Sequence, residues 1–233
     1  MYDNLLILPY FQGLSKKEIT TILDKVAFDF VNYKQGETIY HCGDDCNKFS
    51  ILIKGEMLCI MHSQDNSYSL CENIDAPYAI EPYSLFGGST KYKRNYIAES
   101  DCSILCFDKH FLFNVFTQYD IFTINLLNII SNKAQQTSNL SWEEPPTSIE
   151  GRIAQFIAQR CECCKGVKRL SIKMEQLATF LCETRLNISK ALNNLKEKGV
   201  IELHRKEITI PSLKALADAV KNNPQEELEN PIL

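Results

Sequence analysis

The sequence lacks any apolar run close to the roughly 20 residues that a membrane-spanning helix needs, although 45% of its 233 residues are hydrophobic. Residues 1–10 also lack the positive charge of a secretory signal, and carry Asp3 instead. The first absence argues against a membrane protein and the second against an exported one. We therefore expect a globular, cytoplasmic protein without a membrane partner, long enough for one large domain or two small ones.

The clustered residues of an enzyme or a metal centre are also missing. The four histidines are scattered, and none stands at metal-ligand spacing from a carboxylate or a cysteine. No catalytic residue, metal site or cofactor is predicted. The ten cysteines are expected to be reduced, because disulfide frameworks belong to short secreted chains. Cys161, Cys163 and Cys164 lie near lysines that favour thiolate, which leaves redox reactivity or metal binding open there.

Positive charge is scarce overall but concentrated in one segment. The formal net charge is −4, which argues weakly against nucleic acid because phosphate contacts need Lys and Arg. Residues 165–206, however, hold ten Lys and Arg against four Glu, a local excess of six positive charges. Such a run is often only a solvated face, so a DNA-binding interpretation needs a motif in the same segment.

The first half of the chain is patterned as β structure. Ser15 and Glu18 form a capping box for a helix over residues 15–27. Short runs rich in β-branched and aromatic residues follow, separated by glycine or polar turns, which is typical of a small antiparallel barrel or roll. The predicted strands are residues 28–33, 38–40, 49–53, 57–62 and 68–71, with a last pair at 95–98 and 103–107.

A long helical segment follows the strands. Five residues recur at spacings of three and four and form a heptad seam of modest hydrophobicity: Ile124, Leu127, Ser131, Ala134 and Ser138. We expect a dimerisation helix over residues 119–142, with packing on its own domain as the alternative. Proline ends it at Glu143-Glu144-Pro145-Pro146, and Thr147 with Glu150 is predicted to cap the next helix.

A helix-turn-helix pattern lies between Met174 and Gly199. Thr184 caps its second helix, so the first turn of that helix faces outward as in a recognition helix. Residues 200–203 and 207–210 then alternate as two strands around a basic tip, which predicts a wing. The alternative is a helical hairpin with a basic solvent face. The apolar faces are predicted to bury Leu177, Ala178 and Leu181 in the first helix, and Ile188, Leu192 and Leu195 in the second.

Candidate DNA contacts gather in these elements. Arg185 has the planar fork that can bond guanine O6 and N7 together, and Ser189 can bond a base edge or a phosphate. Lys190 is expected at a phosphate. The full predicted set is Lys173, Thr184, Arg185, Leu186, Asn187, Ser189, Lys190, His204 and Arg205.

Several short motifs together resemble the Crp/Fnr family of bacterial transcription regulators, from about Leu5 to Val220. The motifs are Pro9-Tyr-Phe-Gln-Gly-Leu-Ser15, Gln35-Gly-Glu37, Cys42-Gly-Asp44, Leu52-Ile-Lys-Gly55, Ile149-Glu-Gly-Arg-Ile153 and Leu195-Lys-Glu-Lys-Gly-Val-Ile-Glu202. The resemblance implies an α+β fold: a cyclic-nucleotide-binding-like sensory β-roll (1–118), a dimerisation helix (119–142) and a winged helix-turn-helix (147–221). It also implies a homodimer that binds double-stranded DNA and works with RNA polymerase. The glutamates and prolines of residues 222–233 predict an acidic tail.

The sequence departs from the family pattern in its recognition helix and its sensory pocket. Many relatives carry glutamate where Leu186 stands, and leucine cannot accept a hydrogen bond from cytosine but can contact a thymine methyl. The matching stretches Phe86-Gly87-Gly88 and Tyr92-Lys93 lack the carboxylate and the arginine that hold cyclic AMP. The clustered N-terminal cysteines of iron-sulfur members are missing too. The pocket predicted for an unidentified effector comprises Tyr83, Phe86, Gly87, Gly88, Lys93, Arg94, Asn95 and Ser131.

The sequence therefore favours a DNA-binding regulator under the control of an unknown small-molecule or redox effector. Two other functions stay open. One is an enzyme, which the missing catalytic cluster and phosphate loop disfavour. The other is a small-molecule-binding module whose C-terminal domain contacts proteins, which would show no salt-dependent DNA affinity.

Overall fold

Residues 6–140 and 144–221 are described by a computed structural model. The chain forms two units, one comprising Met1–Cys59 with Ile74–Trp142 and the other Ile60–Asn73 with Glu143–Leu233. The predicted acidic tail and Glu143 of the predicted helix break lie outside the described residues. No helix in the described ranges is long and apolar enough to cross a bilayer.

In the first unit, a 3-10 turn at Pro9–Phe11 precedes helix α1, Lys16–Lys25, and the predicted capping box starts this helix. Ser15 Oγ accepts a hydrogen bond from Glu18 N at 3.2 Å, and Glu18 Oε2 accepts one from Ser15 N at 2.8 Å. Four strands follow that form one antiparallel sheet: β1 (Asp29–Tyr33), β3 (Lys48–Lys54), β6 (Tyr78–Ile80) and β8 (Cys102–Asp108). Their order in the sheet is β1-β8-β3-β6. Two further strands, β2 (Thr38–Tyr40) and β7 (Asn95–Ala98), pair with each other.

The expected pairing of strands 95–98 and 103–107 is wrong. β7 pairs with β2, whereas β8 lies between β1 and β3. The chain changes sheet at residues 99–101, where the amides of Glu99 and Ser100 both donate to the carbonyl of Glu56. These bonds hold the chain away from a tight hairpin turn, so the two strands enter different sheets.

Buried aromatic rings form the centre of the first unit. The rings of Phe107 and Phe116 stack with centroids 4.8 Å apart, and Phe49 stacks on Phe107 at 5.2 Å. Such offset pairs add to the large apolar area that aromatic side chains bury. The core therefore joins β3 and β8 to the 3-10 turn Phe116–Gln118, which follows helix α2 (His110–Asn114).

Helix α3, Asp120–Leu140, is the predicted long helix. It is anchored at its start by Phe122, which is fully buried, and by Asn125, whose side-chain amide donates to the carbonyls of Tyr10 and Gln12 at 3.3 and 2.8 Å. All five residues of the predicted seam are exposed in the single chain. The described part of the chain therefore leaves the seam uncovered.

The helices and strands of the second unit follow the order expected of a winged helix. They are α4 (Ile149–Ala158), β9 (Lys168–Ile172), α5 (Met174–Phe180), α6 (Arg185–Glu197), β10 (Glu202–His204), β11 (Glu207–Ile210) and α7 (Leu213–Lys221). The two predicted strands of the wing are thus β10 and β11, which pair with Leu203 opposite Ile208. The helices and strands pack around one apolar core, which includes Ile153, Ile157, Leu170, Leu177, Ile188, Leu192, Leu195 and Leu216.

Two features of this unit differ from the expectation. Helix α4 is capped by Ser148, not Thr147, because Ser148 has the extended backbone of a cap and its Oγ accepts the Gly151 amide at 3.1 Å. Strand β9 was not predicted. It pairs with β11 on one edge and, on the other, with residues 68–72 of β5 (Tyr68–Asp75), which follows β4 (Glu56–His62) in the chain.

Candidate nucleic-acid interface

The helix α6 presents its first turn to solvent. It begins at Thr184, whose extended backbone and Oγ1, which accepts the Asn187 amide at 3.1 Å, make an N-cap. Ile188, Leu192 and Leu195 bury its opposite face. The side chain of Arg185 is 70% exposed and Leu186 is 64% exposed.

The turn before α6 is held by a side chain from α4. Arg152 Nη1 donates to the carbonyl of Leu181 at 2.9 Å, and its Nη2 pairs with the carboxylate of Glu183. Glu183 also accepts the side-chain amide of Asn187 at 3.1 Å. Hydrogen bonds from Asn187 and Arg152 lower the pKa of Glu183 from its usual value. These contacts join the turn between α5 and α6 to α4 on one side and to the first turn of α6 on the other.

A cleft of about 430 Å³ lies between α5, the start of α6 and the wing. Its floor is apolar, and its rim carries Lys173, Arg185, His204 and Lys206. Glu175 Oε1 lies 3.3 Å from Arg185 Nη1 across the same rim. The structure therefore brings three predicted residues to one place: Lys173 at the N-cap of α5, Arg185 at the start of α6 and His204 at the end of β10.

The other predicted DNA contacts lie around this cleft but do not line it. Lys190 is exposed on α6, while Asn187 and Ser189 are half-buried. Arg205 is exposed in the two-residue wing turn. His204 Nε2 lies 3.6 Å from the Glu202 carboxylate along β10. The predicted residues thus form a group centred on the first turn of α6, with Arg205 at the far end of the wing.

Not all of the local positive charge faces solvent. The side chain of Lys168 is fully buried, 3.2 Å from Glu72. The guanidinium of Arg169 donates to Asn73 Oδ1 at 2.9 Å and is half-buried. The excess of six charges counted along the sequence therefore overstates the charge of the surface.

The first unit contains a polar cluster in the predicted effector segment. Arg94 Nη1 donates to Tyr83 Oη at 2.8 Å, and the ammonium of Lys133, from α3, lies 5.5 Å above the Tyr83 ring. Glu81 is fully buried at φ 39°, and accepts the Lys93 amide at 2.9 Å. Its carboxylate lies 3.8 Å from Arg94. The segment does hold a carboxylate and a guanidinium, but they contact each other.

The side chains of the other predicted pocket residues have different partners, and Lys93 meets this cluster through its amide. Phe86 packs edge-on against Phe113 with centroids 5.0 Å apart, and Asn95 Oδ1 accepts the Cys42 amide at 2.9 Å. Gly87 and Gly88 are exposed, and so is Ser131 on α3. The Lys93 ammonium donates to Ser89 Oγ at 2.8 Å.

The three clustered cysteines lie between α4 and β9. All ten cysteines are free. Burial raises the pKa of the Cys161 thiol to about 12, while Cys164 is exposed. Over the described residues, no three His, Cys, Asp or Glu side chains are grouped to hold a metal ion.

Comparisons with known proteins match both halves of the chain. Residues 30–119 match the cyclic nucleotide-binding domain, and residues 151–219 match the Crp-like helix-turn-helix domain. The two matches together span more than half of the sequence. The chain belongs to the Crp/Fnr family.

Solved structures agree on the fold of this Crp/Fnr regulator. The catabolite activator protein of Thermus thermophilus superposes with a TM-score of 0.51 at 18% identity, over 91% of this chain and 100% of that one. The sensor domain of the transcriptional regulator DNR from Pseudomonas aeruginosa gives 0.51 at 17% identity, over 63% and 95%. No curated protein matches the sequence. At these identities the likeness establishes the fold alone.

The sequence interpretation of this Crp/Fnr protein missed several residues of the site. Arg152 appeared only inside a family motif, and Glu175, Glu183 and Lys206 were not assigned. An acidic residue in the first turn of a helix, as at Glu175, is common for reasons of helix stability. Glu81 had a usable signal, since it interrupts the apolar run Tyr78-Ala-Ile.

Proposed function

We propose that this Crp/Fnr protein is a cytoplasmic, homodimeric transcription regulator that binds a near-palindromic operator. The observation that carries the proposal is the capped, exposed first turn of α6, beside a cleft with four basic side chains on its rim. In helix-turn-helix dimers, two such turns enter successive major grooves about 34 Å apart. RNA polymerase is the expected protein partner, and the protein acts as an activator or a repressor.

Arg185 and Leu186 are proposed to read bases. Arg185 is the exposed arginine of the first turn, and Glu175 at 3.3 Å orients its guanidinium before DNA binds. Leu186 offers an apolar surface that suits a thymine methyl. Thr184, Asn187, Ser189 and Lys190 then lie close enough along α6 for backbone or base contacts, with Lys173, His204 and Arg205 at phosphates.

Selection from a randomised duplex pool at moderate salt tests the proposal. We expect a motif with twofold symmetry, and an affinity that falls by orders of magnitude as salt rises, because phosphate contacts release counterions. Arg185→Ala should cost about 1–3 kcal/mol and relax one base pair in each half-site. Lys17→Ala, which removes an exposed charge from α1, is the matched control and should bind like the parent.

One result would reject the assignment of Arg185, and another would reject the function itself. Equal operator binding by Arg185→Ala and the parent would remove the base-reading assignment. Absence of any salt-dependent DNA affinity, with or without cell extract to supply an effector, would favour a small-molecule-binding module instead.

Dimerisation is proposed through α3. At 100° per residue, the five seam residues fall within about 80° around the helix, and Ile124 and Leu127 are 56% and 58% exposed. Leu127→Glu should convert the dimer to monomer in analytical ultracentrifugation, because it places a charge in the apolar contact. Phe30→Glu changes a similarly exposed residue, at 55%, on β1, and should leave the dimer intact. A dimer that survives Leu127→Glu would place the interface elsewhere.

The effector is proposed to bind beside Tyr83, Arg94 and Lys133. This group combines the Tyr83 phenol with the ammonium of Lys133 and with the guanidinium of Arg94, which is 13% exposed and lies 3.8 Å from the buried Glu81 carboxylate. Such a set suits a small polar molecule. A thermal-shift screen of small molecules tests it. Compounds that stabilise the parent should lose their effect in Tyr83→Ala, and a compound that keeps its effect there and in Lys133→Ala would exclude this site.

A further inference from the structure

A strand from outside the predicted DNA-binding domain completes the sheet of the second unit. Residues 68–72 pair antiparallel with the whole of β9, with Tyr68 opposite Ile172 and Glu72 opposite Lys168. β11 pairs with the other edge of β9. β9 is therefore a central strand, held between residues 68–72 and the wing.

A buried ion pair fixes one end of this pairing. The Glu72 carboxylate is 2% exposed and lies 3.2 Å from the ammonium of Lys168, which is fully buried. Glu72 also accepts the amides of Glu162 and Cys163 at 2.7 and 3.2 Å. A buried charge is unfavourable without partners. Breaking the pairing between residues 68–72 and β9 is therefore expected to cost a large free energy.

Tyr68 fixes the other end. Its hydroxyl accepts a hydrogen bond from Arg160 Nε at 2.8 Å. Its ring packs edge-on against Phe156 and Phe180, with both centroid distances 5.5 Å. Phe180 is the last residue of α5, so Tyr68 contacts the helix that precedes the recognition helix.

β9 connects these contacts to the DNA-facing cleft. Its last residue, Ile172, donates its amide to the carbonyl of Lys206 in the wing turn at 3.0 Å. The next residue is Lys173, on the cleft rim. The position of β9 therefore sets the positions of one basic side chain and of the wing turn.

We infer that Glu72 and Tyr68 are positioning residues for DNA binding, which act through β9 on Lys173 and the wing turn. The inference rests on the proposed function. Neither residue belongs to the helix-turn-helix or the wing, and Glu72 is buried. Their loss should weaken the phosphate contacts of Lys173 and the wing while the base contacts of α6 are kept.

The salt dependence of operator binding by the full-length protein tests the inference. Each phosphate contact contributes about 0.9 to the slope of log affinity against log salt. For Glu72→Gln we expect the slope to decrease in magnitude by about 1 to 2, with the same preferred bases. Tyr68→Phe keeps the ring and removes only the acceptor for Arg160, and should give a smaller change of the same sign. Glu56→Gln changes an exposed carboxylate at the start of β4 and should not alter the slope.

A purely structural role would give a different result. Destabilisation lowers the fraction of protein that binds in a stoichiometric titration, but leaves the slope of the folded fraction unchanged. A second comparison uses Lys173→Ala: if Glu72 acts through Lys173, then Glu72→Gln should change the slope less in that background than in the parent.

Each outcome is decisive. Unchanged slopes in Glu72→Gln and Tyr68→Phe, with parent affinity for the operator, would overturn the positioning role and leave the proposed function standing. Equal slope changes from Glu72→Gln with and without Lys173→Ala would overturn the route through Lys173. A parent protein without salt-dependent DNA affinity would reject the proposed function itself.

Discussion

Substitutions in the buried Glu72–Lys168 pair should cost more stability when one charge is left without its partner than when both charges are removed. Both side chains are almost wholly inaccessible, at 2% and 0% exposure. Lys168→Met leaves the carboxylate with two amide donors but without its counter-ion, and Glu72→Gln leaves the ammonium with the carbonyl of Lys165. Removal of one partner from a buried pair costs about 3–5 kcal/mol, and we expect a value in this range for each variant.

The double variant Glu72→Gln with Lys168→Met should lose less free energy of unfolding than the two single variants lose in total. It removes both charges, and the side-chain carbonyl of the introduced glutamine can still accept an amide hydrogen bond, so no unpaired charge stays buried. Coupling energies between contacting residues are about 0.5–3 kcal/mol, and a buried pair lies at the upper end.

Hydrogen exchange of the β9 amides measures the loss of stability in each variant. It does not require that the two units unfold together, because exchange reports the opening free energy of each segment separately. The free energy of opening is compared among the parent, both single variants and the double variant. A loss below about 1 kcal/mol in Lys168→Met, or strict additivity in the double variant, would refute the idea that the pair is dehydrated and mutually dependent.

Three further predictions concern the second unit. Thr184→Ala should destabilise it by about 0.5–2 kcal/mol through loss of the α6 cap, measured by thermal unfolding with Thr184→Ser as the control that keeps the hydroxyl. Glu183→Gln should lower the free energy of unfolding of the unit at pH 7. This loss relative to the parent should shrink as pH falls below 4.5, because a carboxylate with a lowered pKa contributes stability that is lost on protonation. A loss that does not change with pH would contradict the Arg152 contact. Burial raises the pKa of Cys161 to about 12, and thiolate is the reactive form of cysteine. Cys161 should therefore be alkylated at pH 8 at least about a hundredfold more slowly than exposed Cys164. Mass spectrometry of the two peptides measures both rates, and equal rates would contradict the burial of Cys161.

Short-range sequence patterns were sufficient to predict the helix N-caps, because a cap forms between residues only a few positions apart. Ser15 with Glu18 and Thr184 with Asn187 lie three residues apart, and both caps are formed as predicted. Where two hydroxyl residues are adjacent, at Thr147 and Ser148, the pattern could not decide between them. The cap depends on which residue takes the extended backbone, and that is set by packing of the following helix.

Non-local pairing explains what the sequence did not reveal. β9 has only five residues and includes Lys168, so its apolar alternation is short and interrupted by a residue that is rarely buried. Its partner Glu72 lies 96 positions earlier in the chain. No local pattern links a carboxylate and an ammonium at that separation, and β propensity depends strongly on such tertiary context.

The same pairing changes how the charge of the DNA-binding segment is understood. Lys168 counts toward the sequence excess, but its charge is neutralised by Glu72 in the interior. The cations exposed near the cleft are those at its rim and in the first turn of α6, including Lys173, Arg185 and Lys206. Long-range electrostatic attraction depends on exposed charge, so the count along the sequence and the field at the surface differ. Lys168 adds no exposed charge to this surface, and in the proposed positioning role it would act only through its ion pair with Glu72, which holds β9.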